Sequence, residues 1–164
     1  MSESINQVAL ALELLVTFAG VFLAFMLDRL IDWARDQKAK QYLLRNLVYE
    51  LNKVKNNLAG EPTRLYHDAY DSAVASGKLN LLTSEQVMKI ANVYIRIRNA
   101  NYRAIRARIA KEAFERNRNS ATEEEYSFQN NEYNSTKQEI SKMIAALLEE
   151  PWLSRYAQSL KSGQ

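Results

Sequence analysis

Residues 11–27 read ALELLVTFAGVFLAFML, and no other feature restricts so strongly what this chain can become. Extended back to residue 8, the apolar stretch has 20 residues with a single charge, Glu13. At a rise of 1.5 Å per residue, a helix of that length covers roughly 30 Å, the thickness of a bilayer's hydrocarbon core. Leaving Glu13 outside shortens the run to residues 14–27, roughly 21 Å, which does not span. Sliding the span forward to Ile31 submerges Asp28 and Arg29 instead. A span over 8–27 is therefore expected, with Glu13 roughly 7 to 8 Å inside the boundary, where a carboxylate still snorkels.

Two soluble readings compete with it. A secretory signal peptide carries a basic leader, and residues 1–7 contain no Lys or Arg. A buried core helix is the stronger rival, because the strictly uncharged run is short. Charge sets the expected orientation of a span. Arg29, Arg35, Lys38, Lys40, Arg45, Lys53 and Lys55 follow it closely, whereas nothing basic precedes it. The positive-inside bias places the N-terminus outside the cell membrane and the remainder in the cytoplasm as a single-pass protein.

At 100° per residue, Glu13, Thr17, Gly20, Ala24 and Asp28 fall on one stripe of small and polar side chains. Bulky Leu12, Leu15, Phe18, Phe22 and Phe25 occupy the rest of the circumference. Small residues let helices approach closely, so the span is expected to form homo-oligomers. In a parallel assembly the Glu13 carboxylates form a ring, a candidate cation site, with Asp28 at the inner mouth of a narrow path. The same stripe serves simple helix packing, and a membrane-anchored scaffold or adaptor binding a cytoplasmic partner is the alternative.

Four glycines, two prolines and no cysteine in 164 residues favour long helices and exclude disulfides and thiolate chemistry. The expected fold is all-α, with domains at 1–34 (span and juxtamembrane segment), 35–60 (neck and coiled-coil-like helix) and 61–164 (cytoplasmic helical domain). Leu44, Leu47, Leu51, Val54 and Leu58 show 3,4 spacing, which predicts one helix from about Asn6 to about Leu58. Gly60 and Pro62 break it, and a short helix over 64–75 ends at Ser76-Gly77. Thr83 or Ser84 caps a helix running to about Arg116. TEEE opens the next, which carries Tyr126, Tyr133, Ile140 and Leu147 every seven residues, and Pro151 separates a final short helix.

The net charge of +3 is too small to indicate a nucleic-acid partner. The basic block Arg96, Arg98, Arg103, Arg106, Arg108, Lys111, Arg116 and Arg118 spreads around its helix instead of forming one binding stripe. Antiparallel pairing with the acidic segment 119–150 accounts for it more simply. Val87, Ile90, Ala91, Tyr94, Ile105 and Ile109 make the expected apolar face of that helix. Arg98 and Asn101 lie on it as a buried polar pair that sets register. His67-Asp68 has the residue types of an acid–base pair, but sequence neighbours on a helix point apart. The single histidine excludes a multi-histidine metal site. No phosphate loop or nucleophile elbow is present, so neither an enzyme nor a cofactor is expected.

Overall fold

The computed structural model describes residues 2–58 and 65–161, with side chains described over 12–58 and 65–158. It contains α1 (Ser2–Asn57), α2 (Asp68–Ala75), a 3-10 turn (Lys78–Leu81), α3 (Ser84–Arg116), α4 (Ser120–Glu149) and α5 (Pro151–Lys161). No strand occurs among the described residues, so the all-α expectation stands. The chain divides into two compact units, Met1–Ala39 and Lys40–Gln164.

In the first unit, α1 is long and apolar enough to cross a membrane, by length and composition. Every side chain from 12 to 38 is exposed.

The second unit is built around the rest of α1. Leu44, Leu47, Leu51 and Val54 are fully buried and Leu58 nearly so, in one core with Ile90, Tyr94, Ile97, Ile140, Ile144 and Leu153. The 3,4-spaced seam that resembles a coiled coil is thus covered by the chain's own helices. On α3 the buried positions are Ile90, Val93, Tyr94 and Ile97, followed by Ala100, Ala104, Ala107 and Ala110. This corrects the expected apolar face, because Ile105 and Ile109 are exposed. The alanine ridge lets α4 approach closely, and Tyr133 of α4 packs with Ala104 and Ala107.

Local signals set most helix ends. Thr83 caps α3 in a reciprocal box: its Oγ1 accepts from the Gln86 amide at 3.3 Å, while Gln86 Oε1 accepts from the Thr83 amide at 3.1 Å. Asn119 and Thr122 repeat the arrangement at the start of α4, at 2.9 and 3.3 Å. Pro151 begins α5, where its missing N–H costs nothing. After α2, Gly77 takes φ 69°, a left-handed conformation that other residues resist.

α2 departs from expectation. It starts at Asp68, not near residue 64, and residues 65–67 are irregular. The expected break at Gly60 and Pro62, and Arg64 itself, lie outside the described residues.

Candidate functional site

On α1, Glu13, Thr17, Gly20, Ala24 and Asp28 are all exposed. The Thr17 hydroxyl donates to the Glu13 backbone carbonyl at 2.8 Å, which satisfies a polar group without help from outside the helix. A Cβ added at Gly20 meets nothing within 4 Å, so the helix surface there is open to a neighbour. Arg29 stacks over Phe25 at 5.2 Å, and Arg35 lies 3.7 Å from Asp32. Among the described residues, no group of three or more His, Cys, Asp or Glu side chains is placed to hold a metal ion.

The densest polar cluster lies in the second unit and links α1, α2 and α3. It starts with Glu50, whose residue is 6% exposed among leucines. Its carboxylate accepts from the Ala69 amide at 2.7 Å and the Tyr70 amide at 3.4 Å. His67, at the N-cap of α2, makes no side-chain cap bond. A buried anion on α1 therefore occupies the positive end of α2 and takes up its orphan donors.

Asn101 secures the preceding segment. Its Oδ1 accepts from the Leu65 amide at 2.7 Å, and its Nδ2 donates to the Leu65 carbonyl at 3.0 Å. One side chain thus completes the hydrogen bonding of a buried residue in irregular backbone.

Asp71 is shared. Its Oδ2 lies 2.7 Å from His67 Nδ1, and its Oδ1 accepts from Arg98. Partial burial raises the Asp71 carboxyl, but the hydrogen bonds and charges of Arg98 and His67 outweigh it and leave the group below the usual range. Arg98 is 53% exposed on its side chain, and Asn101 is half-buried. The expectation of a buried Arg98–Asn101 pair is corrected accordingly: the two act on different partners. Asp71 satisfies the i,i+4 spacing from His67 that Asp68 lacks, so the His67–Asp71 contact was readable from the sequence. The Glu50 contact was not.

Tyr94 closes the cluster from below. Its ring stacks on Tyr70 at 4.4 Å with 9° between planes. Its hydroxyl is buried with no hydrogen-bond partner of ordinary geometry. Burial, then the charge of Glu50, pushes the hydroxyl far above its usual range, so it stays protonated.

Chemically, this cluster is a clamp. Both Glu50 oxygens, both Asn101 amide atoms and both Asp71 oxygens face partners within the chain.

Of the basic block on α3, Arg96 and Arg103 pair with the acidic segment as expected. Arg98 pairs instead with Asp71 of α2 and Lys111 with Glu115 of α3 itself, and Lys89, outside the block, adds a further pair. Lys89–Glu150 is 2.6 Å, Arg96–Glu139 is 3.2 Å, and Arg103 pairs with Glu132. Positions rising along α3 meet positions falling along α4, so the helices are antiparallel. The hydrogen bond to Glu150 raises the Lys89 ammonium, and Lys89 in turn lowers Glu150. Beside these pairs runs a groove of about 610 Å³ lined by Tyr102, Arg106, Phe128 and Glu132 among others. Comparison with protein-family models, curated proteins and solved structures gives no match.

Proposed function

We propose that this chain is a membrane-anchored helical adaptor, tethered through the first half of α1 and presenting its second unit to partners in the cytoplasm. The observation that carries the reading is the exposure of α1 over 12–38. Eleven large apolar side chains between Leu12 and Leu27 lie open. At roughly 1.5 kcal/mol each for about half-exposed side chains, burying them in lipid is worth on the order of 15 kcal/mol. Glu13 opposes this by at most about 2.5 to 3.5 kcal/mol, and less near the boundary. Insertion wins by a wide margin. The clamp around Glu50, His67 and Asp71 supports a structural role for the polar residues of the second unit, in keeping with a non-enzymatic protein.

The expected orientation follows the basic residues after the span, with the N-terminus outside. A second reading draws support from the open surface at Gly20. Copies associate through the Glu13, Thr17, Gly20, Ala24 and Asp28 stripe and enclose a cation path ringed by Glu13.

Extraction of membranes from cells expressing the full chain tests the anchor. The protein should stay with lipid at alkaline pH and in urea. Release into the soluble fraction overturns the proposal. Purified protein in planar bilayers separates the two readings. The adaptor passes no current, whereas a pore conducts cations and loses selectivity with Glu13→Gln.

A further inference from the structure

Residues 65–82 are tied to α1 and α3 differently from the packing elsewhere in the second unit. α1, α3, α4 and α5 share a core through Leu47, Leu51, Ile97, Ile140, Ile144 and Leu153, each fully buried. Those four helices meet without any residue of 65–82. Within that segment only Leu65, Ala73 and Leu82 are buried, two at its ends and one midway. Ala69, Tyr70 and Leu79 are partly buried against the core. The other ties are polar or aromatic: Leu65 to Asn101, Ala69 and Tyr70 to Glu50, Asp71 to Arg98, and Tyr70 on Tyr94.

α2 cannot hold its own shape. Its eight residues fall short of the roughly 12 to 15 that an isolated helix needs, and His67 at its N-cap supplies no side-chain bond. The acceptor for its first amides is Glu50, which belongs to α1. Lifted away, α2 loses that acceptor together with its packing, so helix and docking are lost in one event. α3 is insulated from this loss. Its first turn is closed by its own Thr83–Gln86 box, immediately after the segment ends.

We propose that residues 65–82 form a detachable strap, which leaves the second unit as one cooperative piece while the core of α1, α3, α4 and α5 stays folded. Release bares the Tyr94 ring, 0% exposed beneath Tyr70, and the Glu50 carboxylate. It also frees Arg98 and Asn101 from Asp71 and Leu65. The interior so opened offers a carboxylate, a guanidinium and an amide around an aromatic floor. Closure returns each of these groups to its partner on the strap. The segment is therefore a cover with two states, and the polar clamp sets the balance between them. Strap release does not depend on whether α1 crosses a bilayer.

Hydrogen exchange of the full chain in detergent, at urea concentrations below the unfolding transition, tests the strap. Amides of 69–75 should be at least about 100-fold less protected than those of 140–144. They should share one urea dependence, smaller than that of 140–144, because release exposes less surface than unfolding. Equal protection and equal urea dependence mean that α2 opens only with the whole unit, and overturn the proposal. Amides of 69–75 that exchange one by one, without urea dependence, show fraying and overturn it too. The chain has no native cysteine, so one introduced thiol reads the same event chemically. Ala73→Cys and Ala107→Cys replace alanines that are both 2% exposed, one on the strap and one between α3 and α4. The first should react with a thiol reagent at least about 100-fold faster, and equal rates overturn the proposal. Adding Glu50→Gln to Ala73→Cys should speed labelling about fivefold with unchanged urea dependence. An unchanged rate counts against the coupling of α2 to its borrowed acceptor. Should Ala73→Cys itself unseat α2 by circular dichroism, exchange in the parent chain decides alone.

Discussion

Removing the Glu50 carboxylate leaves the first turn of α2 without an acceptor for its amides. The Ala69 bond at 2.7 Å is short and charge-assisted, and the Tyr70 contact at 3.4 Å is marginal. A hydrogen bond to a buried charge contributes about 1.5 to 3 kcal/mol. The favourable dipole of the helix end adds up to about 1 to 2 kcal/mol in a partly buried setting. Against these stands the cost of holding a carboxylate away from water, which the substitution relieves. Glu50→Ala should therefore destabilise the second unit by about 2 to 3 kcal/mol. Glu50→Gln keeps a carbonyl oxygen for Ala69 and should cost about 1 kcal/mol. At about 2 to 4 °C per kcal/mol for a chain of this size, Tm falls by about 5 to 10 °C and about 2 to 4 °C respectively. Circular dichroism melts of the full chain in detergent read the loss, and hydrogen exchange at Ala69 and Tyr70 localises it. The reasoning is refuted if Glu50→Ala melts with the parent chain and both amides keep their protection. It is refuted equally if Gln proves worse than Ala.

Arg98→Leu should cost no more than about 1 kcal/mol by denaturant titration, because the Arg98–Asp71 pair is half exposed. A loss near the 3 to 5 kcal/mol of a broken buried pair would contradict that exposure. Tyr94→Phe removes a buried hydroxyl that has no partner of ordinary geometry and lies beside Glu50, and should raise stability by about 1 kcal/mol; a fall would mean that Glu50 accepts from it. Asp71 is held below its ordinary 3.8, so its contribution is present above that pH and disappears as pH drops through the lower folded value. The stability gap between the parent chain and Asp71→Asn should begin to narrow near pH 3.8 and go on closing as pH falls towards the lower folded value. A gap that widens as pH falls from about 5 to about 3 would contradict the assigned direction.

The extent of α1 was readable because residues 6 to 58 contain no breaker, and the helix runs Ser2–Asn57. The ends marked by Thr83, Arg116 and Pro151 were readable for a local reason: caps and prolines act on the backbone beside them. The start of α2 was not. Its position depends on Glu50, 19 residues before Ala69, and on Asn101, 36 residues after Leu65. No local pattern reports such contacts. The second half of α3 misled because isoleucines outweigh alanines in any apolar pattern. Packing chose the alanines, since only a small ridge lets two long helices lie close, and Ile105 and Ile109 turned outward. Of the candidate site, the stripe on α1 was legible as a pattern of positions. His67–Asp71 needed only the correct spacing, and the place of Glu50 needed the tertiary fold.

The core that holds Leu44 and Leu47 also holds Leu153, which is fully buried. In a chain made from its N-terminus, the apolar side of α1 leaves the ribosome more than 100 residues before the last helix that covers it. At synthesis rates of about 5 to 20 residues per second, that interval lasts roughly 5 to 20 s. The end of the α3–α4 hairpin nearest its turn, where Arg103 meets Glu132, can form first, since its contacts are the least separated in sequence and more local contacts form faster. Closure over α1 cannot be complete until α5 arrives. A nascent chain stalled before Pro151 should therefore present an uncovered leucine surface to chaperones, and the final few residues of the fold set the moment at which that surface disappears.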